Sequence, residues 1–178
     1  MPNPLQRQRE FRNICGTFAT GVMVLLSGGA SPHGMTINAF MSLSLDPLLV
    51  AVSVHQGSYL ADHLVRPGTP FSLSILGADQ ELLARFYSRP TRLRGQQSPG
   101  ASPVRPGSEL VIARAAAWIW CRTEQAIPSG DHWLLVAGVD DFGGSSSASP
   151  LIFHQGQFFS AMGPSDEGWM DDLLLLER

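Results

Sequence analysis

The chain has 178 residues, the length of one domain, and its 44% hydrophobic against 15% charged residues leave far more apolar surface to bury than a disordered chain carries. All 12 basic residues are arginine, which excludes Schiff-base catalysis, a lysine-held pyridoxal phosphate and the P-loop lysine, each of which needs that amine. A net charge of −3 lacks the basic footprint of a nucleic-acid binder, and the low charged fraction favours an oligomer.

In chain order, Pro2 to Arg12 is polar and charged where a secretory signal would be apolar, and no run approaches the roughly 18 apolar residues of a membrane span, which points to a cytoplasmic protein. Gln6 to Cys15 reads as a helix and Phe18 to Ser27 as the first strand. The clearest alternation follows: Met35, Ile37, Ala39, Met41, Leu43 and Leu45 fall on one face, and Thr36, Asn38, Phe40, Ser42, Ser44 and Asp46 on the other. This predicts one long strand, or a strand with a bend, closed at Asp46-Pro47 because proline cannot donate to a ladder. Leu48 to His55 is then a strand apolar on nearly both faces, and Ser58 to Val65 a short helix with a serine start.

Phe71 to Leu76 is a further strand and Asp79 to Tyr87 a helix with an aspartate N-cap. Ser88 to Ser108, with four prolines, reads as a long surface excursion, long enough for a lid. Strands return at Ile112 to Glu124, Trp133 to Asp141 and Leu151 to Ser160, with a Gly/Ser loop at Gly143 to Ser149. About seven strands among few helices favour an antiparallel barrel or sandwich over residues 1–161. Residues 162–178 form a tail whose Leu173 to Leu176 run needs covering.

The chemistry is constrained mostly by what is missing. No two glycines stand two apart, so the Gly-x-Gly of a Rossmann turn is absent, as is the Gly-x-Ser-x-Gly of a hydrolase elbow. His33, His55, His63, His132 and His154 are too scattered for a compact ligand spacing, so no metal is expected. Cys15 and Cys121 read as reduced, buried thiols rather than a disulfide. What remains is the polar face of Thr36, Asn38, Ser42 and Ser44, just after the loop Ser31 to Gly34. It is either a solvated strand side or, since it carries short hydroxyls and an amide but no long charged residue, a surface on which a ligand lies flat.

Phe18-Ala-Thr-Gly-Val22, Gly34-Met-Thr-Ile-Asn-Ala-Phe40, Ser42-Leu-Ser-Leu-Asp-Pro47, the apolar strand to Val54, Arg85-Phe86 and Gly130-Asp-His132 resemble, in order, the short-chain flavin reductases. These are the reductase partners of two-component, flavin-dependent monooxygenases, and the resemblance runs from about Phe11 to Phe158. It implies a split β-barrel homodimer of the FMN-binding type, mainly β with a few short peripheral helices. The flavin, FMN or FAD, would be held noncovalently near the subunit interface, with NADH or NADPH as hydride donor and a separate monooxygenase receiving reduced flavin.

Carried over by residue, the resemblance places Gly34 to Phe40, Met35 included, along the isoalloxazine ring, with Thr36, Asn38 and Ala39 offering hydrogen bonds. Ser42 would lie near the ribityl chain, and Ser53, Val54 and His55 along the flavin. Ser58 and Arg85 would be near the phosphate, with Phe86 packed on the cofactor. His132, in the Gly-Asp-His signature, is associated with the nicotinamide side. Tyr87 stands where the family often has a small residue, and the 88–108 loop looks longer than usual. The alternative is a split barrel that binds flavin without reductase activity, storing electrons or oxidising a small molecule.

Overall fold

Helix α1 (Pro4–Cys15) opens a computed structural model that describes residues 3–29, 32–89, 98–104, 109–144 and 148–160. Its start is set by Asn3, whose side chain accepts from Leu5 N–H, followed by proline in the first turn, and none of its residues is buried. The strands are β1 (Thr20–Gly21), β2 (Met23–Ser27), β3 (His33–Ile37), β4 (Phe40–Leu45), β5 (Leu48–His55) and β6 (Pro70–Ile75). After them come β7 (Ala101–Pro103), β8 (Leu110–Ile112), β9 (Ala117–Ser129), β10 (His132–Gly144), β11 (Leu151–His154) and β12 (Gln157–Ser160). Helices α2 (Ala61–Leu64) and α3 (Glu81–Tyr87) lie between β5, β6 and β7.

Seven strands form one antiparallel sheet in the order β3-β2-β6-β9-β10-β5-β4. The sheet's two edge strands, β3 and β4, are joined only by Asn38 and Ala39. Three Cα steps of about 3.8 Å span at most about 11 Å, so the sheet has to curl until its edges approach each other. The result is a barrel split along the β3/β4 seam. Ser53 N–H donates to Ala39 O at 3.1 Å, extending the β4/β5 ladder one step past Phe40 and Val52 into the connection.

The strand β2 explains how the barrel is filled. Met23 and Leu25 point into a cluster with Val52, Phe71, Leu73 and Leu135, while Val24 and Leu26 join Val22, Leu76, Ala84, Tyr87 and Leu151 in a second cluster beneath α3. Both faces are therefore apolar, and each fully buried Leu contributes roughly 1.5–3 kcal/mol of transfer free energy. The small sheet β1-β11-β12 caps the second cluster.

Several expected elements differ. The first strand is interrupted at Val22, and the long alternating strand is two strands on opposite edges. The expected strand Ile112 to Glu124 is the end of β8 and most of β9, and Leu151 to Ser160 is a hairpin, because Gln155 and Gly156 both adopt the positive φ of a tight turn. The helix expected from Ser58 is a single turn starting after Leu60, with no side-chain cap. Asp79 does not cap α3. It pairs with Arg114 at 2.8 Å, and the N-cap position is taken by Gln80, whose amide accepts from Gly77 N–H and donates to Ala113 O.

Within the expected excursion, Ala101 to Pro103 pairs with β8; residues 90–97, 105–108 and the tail 162–178 lie outside the described residues. Cys121 is buried as expected, with its thiol pushed up to about 12 by burial and then by Asp140, whereas Cys15 is exposed; both are free. Among the described residues no helix is long and apolar enough to cross a membrane.

Candidate active site

The seam collects most of the residues expected to act. Thr36 from β3, Asn38 and Ala39 from the β3–β4 connection, Ser53 and His55 from β5 and His132 from β10 line a cavity of about 220 Å³, together with Met35, Ile37 and Val54. Three segments far apart in sequence converge here because β5 pairs with β10 in the register that sets His132 opposite His55. The two imidazoles meet edge to face, centroids 5.1 Å apart at 89°.

The turn that presents His132 is built with care. Gly130 has φ 65°, a left-handed conformation that glycine adopts without a Cβ penalty. Gln56 clamps the turn: its backbone N–H donates to Asp131 O at 2.9 Å, and its side-chain amide to Gly130 O and His132 O at 3.2 and 3.3 Å. Asp131 Oδ1 lies 2.7 Å from His132 Nδ1, and this hydrogen bond is the main reason that the Asp131 carboxyl is held below its ordinary value. On the facing strand, His55 Nδ1 accepts from Gly57 N–H at 3.0 Å.

A second cavity of about 530 Å³ shares Met35, Thr36 and His55 with the first and extends past Ser58, Ser88 and Arg89. The hydroxyl of Ser58 is fully buried and has no hydrogen-bond partner, an arrangement that costs about 1–3 kcal/mol unless something fills it. Thr36 Oγ1 donates to Ala84 O at 2.6 Å, so its proton is committed to α3 and it pins that helix, with Ser88 and Arg89 after it, against β3. Gly34 is what allows this approach, since a Cβ there would come within 2.5 Å of Leu26 Cδ2 and 2.7 Å of Tyr87 Cε1. Tyr87 is buried and donates from its hydroxyl to Pro99 O at 2.9 Å.

Three expected residues stand apart from these cavities. Arg85 is engaged with Glu81 at 2.7 Å and lies 4.9 Å over the Phe158 ring, facing a separate cavity of about 300 Å³ that shares Thr36 and Asn38 with the seam. Phe86 packs against the second core cluster. Ser42 sits on β4 in a groove of about 610 Å³ with Trp118 and Phe142. Arg89, four residues beyond Arg85, lines the same cavity as Ser58 and was not singled out from the sequence; the only signal was the i, i+4 spacing of the two arginines.

These features define an antiparallel split barrel with a polar, histidine-bearing cleft at its seam. The chain belongs to the flavin reductase like domain family, which matches residues 15–162. It is 32% identical over 152 residues to the NADH-dependent flavin reductase StyB of Pseudomonas fluorescens, covering 83% of this chain and 86% of that protein. The reductase component of a flavin-dependent trigonelline monooxygenase from Acinetobacter baylyi is 32% identical over 85% of this chain, which spans only 48% of that protein. BorF, the flavin reductase component of a bacterial two-component tryptophan halogenase, superposes with a TM-score of 0.79 at 35% identity, covering 88% of this chain and 99% of that one.

Proposed function

We propose that residues 1–161 form an NAD(P)H:flavin oxidoreductase that takes hydride from NADH or NADPH, reduces FMN or FAD, and releases reduced flavin to a separate flavin-dependent monooxygenase. The observation that carries this reading is the seam itself. Residues 35–39, 53–55 and 132 surround one cavity that adjoins a second holding the buried, unpartnered Ser58 hydroxyl and Arg89. A polar ring site continuous with a hydroxyl-and-guanidinium site fits a flavin with its phosphate.

Bound flavin supplies the hydride acceptor, and the protein has no proton to move at the reacting atoms. Asn38 and the Ala39 backbone would face the ring edge, offering fixed dipoles where negative charge gathers on reduction. Ser58, Ser88 and Arg89 would hold the phosphate, with Arg89 taking the role first assigned to Arg85. His132 would orient the nicotinamide from the mouth of the cleft. Thr36 acts through α3, keeping the phosphate-side residues fixed relative to the ring-side strand.

The same reading includes a homodimer in the cytoplasm. Met41, Leu43 and Leu45 on β4 are 51%, 43% and 80% exposed, and Leu48 and Phe142 are exposed as well, apolar surface at this edge that a second copy would cover. Steady-state oxidation of NADH and of NADPH, each with FMN or FAD added, tests the activity. Turnover with any pairing supports the reading; a protein that binds flavin yet oxidises neither nicotinamide would be the electron-storing alternative.

A further inference from the structure

Helix α1 is 12 residues long and buries none of them. A helix of that length is marginal in water and takes most of its stability from packing, so α1 calls for a partner that the barrel does not supply. Phe11 and Ile14, one turn apart, are each 68% exposed, and Leu5 before them and Phe18 just beyond the helix are exposed as well. Arg7, Arg9 and Arg12 make the same helix basic against Glu10 alone, and none of the three arginines joins an ion pair among the described residues. The open face of α1 is therefore apolar with a positive border.

The described residues end at Ser160, and the chain that follows carries the complement. Residues 162–178 hold Asp166, Glu167, Asp171, Asp172 and Glu177 against one arginine, together with Trp169, Met170 and the run Leu173 to Leu176. The attachment point is close to the helix. Gln155 N–H donates to Gly16 O at 2.9 Å, which sets the β11–β12 turn at the C-terminal end of α1, and β12 carries the chain only about 13 Å from that turn. Residues 161–168 reach about 26 Å when extended, enough to return to α1 with the next segment free to lie along it. We propose that residues 169–176 dock on the exposed face of α1 of the same chain, with Trp169 and the leucines against Phe11 and Ile14 and the acidic residues beside the three arginines. Phe18 lines a cavity of about 540 Å³ with Asn38 and Ala39, so a tail seated on α1 also borders the seam. The inference is independent of the reductase reading above.

Cys15 gives a native probe of this contact. It is exposed at the end of α1, four residues after Phe11, whereas Cys121 is buried, so a neutral alkylating reagent such as iodoacetamide reads Cys15 in the full chain. The docked tail should hold that reaction back. Leu173→Glu with Leu176→Glu should speed it at least about tenfold, equivalent to about 1.4 kcal/mol of docking. An alkylation rate unmoved by this pair of substitutions would overturn the proposal.

The charge match is read separately. Asp171→Arg with Asp172→Arg should raise the Cys15 rate about threefold to tenfold at low salt, and its difference from wild type should shrink in 1 M NaCl, where the screening length falls to about 3 Å. Equal rates in the two proteins at low salt would overturn the pairing of the acidic residues with α1. A last experiment asks which chain supplies the tail. Protein assembled from a Cys15→Ser chain with its natural tail and a Cys15 chain carrying Leu173→Glu and Leu176→Glu should be alkylated at the fast rate of the tail variant alone. Protection of Cys15 in that mixture would assign the contact to a neighbouring chain's tail and overturn docking within one chain.

Discussion

Strands β3 and β4 are consecutive, continue one alternating pattern and lie at opposite edges of the same sheet. On β3 the apolar side is covered: Ile37 is buried in the barrel core with Met35 packed against it, and Thr36 on the other side bonds to α3. On β4 Met41, Leu43 and Leu45 are all exposed, and a bulge between Ser42 and Ser44 breaks the alternation, with Phe40 the side chain that packs on the barrel core. Alternation therefore marks a strand, but a bulge resets its faces and the element lying over each face decides which is wet. β3 has α3 against it and becomes one wall of the site. On β4 Met41, Leu43 and Leu45 stay exposed among the described residues, the surface on which the proposed second copy would sit.

The comparison can be sharpened by making one substitution on each side. Gly34→Val on β3 drives a side chain into Leu26 and Tyr87, both buried, and should cost about 1–3 kcal/mol in urea unfolding. The counterpart Ser42→Val on exposed β4 should stay within about 0.5 kcal/mol. Equal losses at both positions would mean that α3 does not distinguish the two edges.

The exposed side of β4 gives the next largest effect. Leu43→Glu should weaken dimerisation at least about tenfold, a cost of about 1.4 kcal/mol, while leaving the barrel folded; light scattering across a dilution series reads it. A variant that remains dimeric at the wild-type midpoint places the interface elsewhere. On the covered side, Asn38→Leu should lower flavin affinity by about threefold to tenfold, from the loss of a polar partner at the ring edge, with unfolding unchanged. Unaltered affinity in a folded Asn38→Leu protein would remove Asn38 from the site. The smallest expected change is His132→Ala, about threefold slower flavin reduction by NAD(P)H in stopped flow, with flavin affinity retained. A variant as fast as wild type at every nicotinamide concentration would leave His132 a turn residue only.

Much of the site was legible as residue types in order. The short polar side chains from Thr36 to Ser42 and the glycine turn before His132 are visible locally, because alternation, turn residues and absent lysine are all properties of neighbouring positions. The expected residues on α3 that stand apart from the cleft share one cause. Arg85, Phe86 and Tyr87 lie on one short helix, and which of its faces meets the cleft depends on how Gly34 and Thr36 let it dock. That docking sends Phe86 to the core, Arg85 to Glu81 and Phe158, and Arg89 toward Ser58. Ser42 follows β4 to the other edge.

By itself the sequence determined that this is a β protein without lysine chemistry, with strands at Met23–Ser27, Leu48–His55 and along most of Ala117–Gly144, since period-two patterning and turn residues act over a few positions. Only the tertiary structure decided that Asn38 and Ala39 join the sheet's two edges, that His55 faces His132, and that the Ser58 hydroxyl is buried without a partner. Those are matters of strand order and register, set by contacts between residues some 75 positions apart, and no local pattern carries them.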